Sequence, residues 1–235
     1  MTTGQQHTGN LRYAVDIVLC IDVTESMSPV LDTVKESALS FHERLEAVMT
    51  RAGKAISQLR LKVIGFRDFA DRAEDAIEES DFFLFPGQAG EFERFMRRLE
   101  ATGGGDFPES GLEALALAIN APWEKGLDRR RHVIVLFTDA PAHPIGMPEA
   151  MAAHTYPMHL PRTMDELFEE WGYASSATAV MEHSAKRLVL FAPDVEPWTS
   201  ITDEWSLTMQ FPSKAGEGLQ DVEMDEIINT IVHSL

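Results

Sequence analysis

Three oxygen-bearing side chains stand at every second position in "VLCIDVTESMSPVLDTV", residues 18–34: Asp22, Thr24 and Ser26. Alternate side chains in an extended or turning segment point the same way, so one loop can offer a carboxylate and two hydroxyls to a single point. That is donor chemistry for a hard divalent cation such as Mg2+, which takes about six oxygens and completes its shell with water or an incoming ligand. Mn2+ and Ca2+ accept the same donors. Two more loops carry matching groups: Asp139 ends the apolar run "HVIVLFTDAP", and Asp106 sits in "TGGGDFPES", where Thr102 is an alternative source of the middle-loop ligand. A second reading stays open for the isolated motif, because Asp22, Ser26 or Ser28 could cap the helix that follows. Glu109, next to Pro108, reads as a first-turn residue that balances a helix dipole rather than as a ligand.

The elements that must position these groups alternate along the chain. Val15 to Asp22 is a short apolar strand of the kind buried on both faces of a parallel sheet. Pro29 then suits the first turn of a helix, and Val30, Leu31, Val34, Ala38, Phe41, Leu45 and Val48 repeat at helical spacing to about Thr50. Residues 59–66 and 81–86 read as strands joined by an antiparallel, hairpin-like step. A short amphipathic helix over 91–100 precedes the glycine-rich break, and a further helix spans Pro108 to Asn120. After the strand at 132–141 and a loop rich in Met, His and Pro, helices are expected at 163–172 and 174–186. Strands follow at 187–193 and 205–211, and a helix at 221–234 closes the chain. Residues 1–12 read as a frayed polar lead, and 13–235 as one α/β domain: a doubly wound, mostly parallel sheet with helices on both faces. Ligands of such sheets bind outside the carboxyl ends of the strands, where Asp22 and Asp139 both stand.

With those residues placed, "DVTES" fits the Asp-x-Ser/Thr-x-Ser pattern of von Willebrand factor type A domains, at the same position after a first apolar strand. "LFTDAP", with Asp139, resembles the acid after that family's fourth strand. The resemblance covers roughly residues 13–235. It implies a Rossmann-like fold and a metal-ion-dependent adhesion site in which the cation keeps one position open for a partner's carboxylate. The family commonly has a Thr in the middle loop, whereas this chain has "GGGDFPE", similar to a subset related to the alpha-kinase-associated group. An acid there adds negative charge at the metal. Bacterial relatives of the intracellular kind often act beside ATPases, kinases or phosphatases, including in stress-related systems. The implied role is thus a subunit or scaffold that engages another protein.

Composition narrows the remaining classes. Twenty basic against thirty-eight acidic side chains give a formal charge of −18, which repels a phosphate backbone and an anionic membrane surface. Nucleic acid and membrane are therefore not expected partners. The lone Cys20, inside an apolar strand, reads as a buried core residue, and the absence of a signal-like start makes the cytoplasm the default expectation. The enzymatic alternative is a metal-dependent phosphoryl hydrolase or a nuclease using Asp22, Asp68, Asp106 and Asp139. A hydrolase with Asp22 as nucleophile would want a second acid two residues on, and this chain has Thr24. No complete catalytic motif is present. His143, His154, His159 and His183 lack compact zinc spacing. Arg67, Asp68 and Asp71 in "FRDFAD" read either as a salt bridge beneath the site or as a solvated turn. The Met- and Pro-rich loop reads either as a partner-binding rim or as a mobile loop.

Overall fold

The computed structural model describes residues 12–104, 108–125, 129–173 and 177–213. Its centre is a seven-stranded sheet. β1 (Arg12–Asp22) pairs in parallel with β2 (Ala55–Phe66) on one side and with β5 (Arg130–Phe137) on the other. β6 (Lys186–Pro193) and β7 (Thr208–Ser213) extend the sheet in parallel beyond β5. Two short strands, β3 (Ile77–Glu79) and β4 (Phe83–Phe85), lie antiparallel on β2. The order is β3-β2-β1-β5-β6-β7, with β4 beside β2. The expected strand at 81–86 is the shorter β4, and β3 before it was not anticipated. Arg12, placed in the frayed lead by the sequence, instead starts β1 opposite Ala55.

Both faces of β1 are buried, and the alternation divides its side chains between two cores. Val15, Ile17, Leu19 and Ile21 pack with α1 (Ser28–Arg51) and α2 (Ala89–Arg98), through Phe41, Leu45, Phe92 and Met96. Val18 and Cys20 face the other way, with α3 (Gly111–Ile119), α5 (Met164–Trp171) and α6 (Trp198–Glu204). Stripes of apolar area facing the sheet, not local propensity alone, hold these helices in place. Phe137, Phe191 and Phe211 stack in a rung across β5, β6 and β7, with centroids 5.1 and 4.9 Å apart. No helix among the described residues is long and apolar enough to cross a membrane.

Several expectations are corrected. Residues 177–185 form bends and turns rather than the separate helix expected at 174–186, and Val180 and Met181 pack as loop anchors against the α5 side of the core. α6 was not anticipated, because seven residues span too little of the helical period to show it. The helix expected at 221–234 lies outside the described residues. In the Met- and Pro-rich segment, the short helix α4 (Pro148–Met151) contributes Ala150 to a small core with Phe69, Ala76 and Tyr156, with Met147 and Met151 packed against it. Residues 147–156 of that loop are therefore docked on Phe69 and Ala76, while Ala142, Ile145 and Leu160 pack into the core under α3, and Met158 is the loop's exposed methionine, at 60%.

Candidate functional site at the carboxyl edge of the sheet

Strand register sets the site. Asp22 pairs with Phe66 across to β2, and Ile21 with Phe137 across to β5, so three strands end at the same level. Asp22 and the segments 67–68 and 138–139 therefore emerge on one edge.

Asp22 is fully buried, and its oxygens are both engaged. Oδ1 accepts from the Thr24 amide at 2.9 Å and from the Thr24 hydroxyl at 2.6 Å. Oδ2 accepts from the Thr138 hydroxyl at 2.7 Å, a bond that crosses from the end of β5 to the end of β1. Ser26 Oγ lies 3.3 Å from Thr24 Oγ1 and donates to Asp139 Oδ1 at 2.9 Å. Five residues from two loops, Asp22, Thr24, Ser26, Thr138 and Asp139, thus form one continuous web. The capping alternative is not what these groups do: the 3-10 turn Glu25–Met27 and helix α1 both start without a side-chain cap.

The glycine-rich loop is tied to the same place. Thr102 N donates to Val23 O at 3.0 Å, and Glu25 N donates to Gly103 O at 2.9 Å. Gly104, at φ +84°, passes so close that a Cβ would lie 2.9 Å from Thr24 Cβ and 3.2 Å from Glu109 Oε1. Only glycine allows that approach. Thr102 serves through its backbone here, and Asp106 lies outside the described residues.

Glu109 is the site residue that the sequence assigned elsewhere. Helix α3 starts at Gly111, so Glu109 precedes it and forms a parallel bridge with Ala142, just after the Asp139 turn. Its amide donates to Pro141 O at 3.0 Å, and its carbonyl accepts from His143 N at 2.9 Å. The side chain is 2% exposed and Oε2 has no hydrogen-bond partner. Burial, reinforced by the charges of Asp22, Asp68, Asp139 and Asp71, pushes its carboxyl up to about 9. Asp22 rises to about 6 through burial and the nearby Asp139, against the opposing hydrogen bonds from Thr24 and Thr138. Both shifts come from carboxylates taken out of water beside one another. Thr138, which precedes Asp139 directly, was the other omission, and its position beside an acid at a strand end was the available signal.

Arg67 does not pair with Asp68 or Asp71. It is 2% exposed and donates to Glu78 Oε1, to the carbonyls of Asp75 and Glu100, and to that of Thr102, so it fastens the glycine-rich loop to the β2–β3 connection. Asp68 accepts from Ser110 Oγ at 3.2 Å and lies 3.5 Å from His143 Nε2, while Asp71 is exposed. His154 pairs with Glu74, away from His143. Among the described residues no group of three or more His, Cys, Asp or Glu side chains is placed to hold a metal ion. The donor set here is mixed: two hydroxyls and two carboxylates in a web, with a third carboxylate beside it. Oxygen-only donors and an orphaned buried carboxylate oxygen fit a hard cation.

Comparison with known proteins adds a fold and one distant relative. No family model matches the chain. It is 27% identical over 143 residues, 61% of its length, to the alpha-protein kinase vwkA of Dictyostelium discoideum, of which it spans about a fifth, 21%. Among solved structures it is similar to the pilus adhesin SpaC of Lactobacillus rhamnosus GG. The match covers 96% of this chain and 31% of that one at 12% identity and a TM-score of 0.52. The open conformation of SpaC matches at 13% identity over 96% of this chain and 30% of that one, with a TM-score of 0.50. At such identities the likeness is one of fold.

Proposed function

We propose that the chain is a doubly wound domain of the von Willebrand factor type A kind, a divalent-metal-dependent module that engages another protein within an intracellular bacterial complex. The observation that carries this reading is the web Asp22–Thr24–Ser26–Asp139, built from two strand ends, with the partnerless Glu109 Oε2 beside it. Thr24, Ser26, Asp139 and Glu109 are the residues that would hold Mg2+, with Mn2+ or Ca2+ as substitutes, while Asp22 orients the Thr24 hydroxyl. The cation would supply a coordination position for an oxygen of the partner, an acidic side chain above all. Asp106 belongs to the proposed set through its place in the glycine-rich loop.

The hydrolase alternative fares less well. A nucleophilic Asp22 needs a free oxygen facing substrate, yet it is fully buried with both oxygens occupied by donors.

Calorimetric titration of metal-stripped protein with magnesium and manganese tests the proposal. Saturable binding is expected in the parent, lost in Asp22→Ala and Asp139→Ala and weakened at least tenfold in Glu109→Gln, with the fold of each variant checked by circular dichroism. No binding at millimolar metal in the parent would sink the site.

A further inference from the structure

A buried cation that cannot itself ligate a metal sets the position of the glycine-rich loop. Arg67 is 2% exposed, and four of the five N–H groups of its guanidinium are used. Nε donates to Thr102 O at 3.0 Å and Nη2 to Glu100 O at 2.7 Å, while Nη1 donates to Asp75 O at 2.8 Å and to Glu78 Oε1 at 2.9 Å. Two of those bonds end on the backbone that leads into the glycines. A second cation grips the same stretch from α1, where Lys35 donates to Leu99 O. The stem of Arg72 lies over the loop at Gly103, where a Cβ would overlap its Cδ. A guanidinium is planar and rigid, so a fork bonded in several directions at once leaves the loop little freedom.

The loop in turn holds the donor set. Thr102 N donates to Val23 O at 3.0 Å and Gly103 O accepts from Glu25 N at 2.9 Å, so the segment that carries Thr24 and Ser26 is bonded to the loop on both sides of Thr24. Gly104 rests against the Thr24 side chain and the Glu109 carboxyl. The Asp139 turn is fixed by other groups: Trp198 Nε1 donates to Ala140 O at 2.9 Å, and Ser213 Oγ to Thr138 O at 3.0 Å. Asp139 therefore keeps its place without the loop, whereas the placing of Thr24 and Ser26 depends on it, and so on Arg67.

Rigidity decides which hard cation such donors prefer. Mg2+ demands near-octahedral oxygens at about 2.0–2.1 Å, while Ca2+ accepts about six to eight oxygens at about 2.3–2.6 Å in looser arrangements. Donors that cannot move apart penalise the larger ion. We propose that Arg67 is a positioning residue that makes the site selective for magnesium over calcium, by holding the glycine-rich loop against the segment that carries Thr24 and Ser26. This rests on the cation-binding reading of the site.

Calorimetry on the full chain, stripped of metal and titrated with magnesium chloride or calcium chloride, gives the ratio of the two affinities. The parent is expected to favour magnesium. Arg67→Lys keeps the charge and loses the fork, so magnesium should bind about tenfold more weakly, the usual scale for losing a group that orients a metal ligand, and calcium about twofold. The ratio then falls about fivefold. Lost stability alone does not move it: Arg60→Lys, which weakens the Arg60–Asp16 pair near the far end of β2, should leave the ratio as in the parent. If Arg67→Lys does not fold, Lys35→Met, which frees Leu99 O by changing a side chain 15% exposed, should lower the ratio in the same direction. A parent that binds neither cation overturns this inference together with the reading it rests on. Where the parent binds magnesium, the role of Arg67 alone is overturned by a parent that prefers calcium, by a ratio unchanged in the variant that folds, or by an equal fall in Arg60→Lys.

Discussion

Glu109 and Glu113 lie one helical turn apart in sequence and face different problems. Glu109 stands beside the proposed cation position. Glu113 sits within α3 at 1% exposure, with the Tyr156 hydroxyl 3.3 Å from Oε1 and Oε2 unpartnered. Burial lifts its carboxyl from an ordinary 4.5 to about 7. The folded protein then holds a proton that the unfolded chain releases at lower pH, so the contribution to stability is full below about 4.5 and falls as pH rises through about 7. Glu113→Gln should flatten this window by about 2 kcal/mol relative to the parent, measured by urea unfolding at pH 5 and pH 8. Parallel pH profiles in parent and variant would contradict the assignment.

Among elements, the loop from Asp139 to Arg162 depends on one backbone position. Gly146 has φ +72°, and a Cβ there would stand 2.6 Å from the Arg162 carbonyl oxygen. Gly146→Ala should cost about 3 kcal/mol, from the left-handed conformation and the collision together, and a thermal melt reads it directly. An unchanged melting temperature would mean that the loop repacks freely. The sequence made β1, β5 and β6 legible because strands covered on both faces are unbroken apolar runs, and α1 because it is long enough to repeat its pattern. Asp22, Thr24, Ser26 and Asp139 were legible for a related reason: they follow directly on those strands. Glu109 was not, since a residue before Gly111 looks the same whether it enters a helix or bridges to Ala142. Val180 and Met181 misled in the opposite direction, as apolar residues at plausible spacing that anchor turns.

At the scale of the molecule, thirty-eight acidic residues against twenty basic ones make self-repulsion a standing cost, relieved by any salt through screening. A specific cation should do more. Magnesium chloride at a few millimolar should raise the melting temperature beyond sodium chloride of equal ionic strength, because binding to the folded state adds to screening. The excess should vanish in Asp139→Ala. Equal effects of both salts on the parent would leave screening alone as the explanation.

Cys20 gives this protein a reporter of its own opening. It is the single cysteine of 235 residues, fully buried in β1 between two helical layers, with its thiol 3.6 Å from the Ala114 carbonyl and its ionisation suppressed by burial. A thiol-reactive dye can modify it when β1 comes away from α3, so the labelling rate counts excursions of the central strand. Because Asp22 lies two residues further along that strand, cation binding that tightens the site should slow the dye.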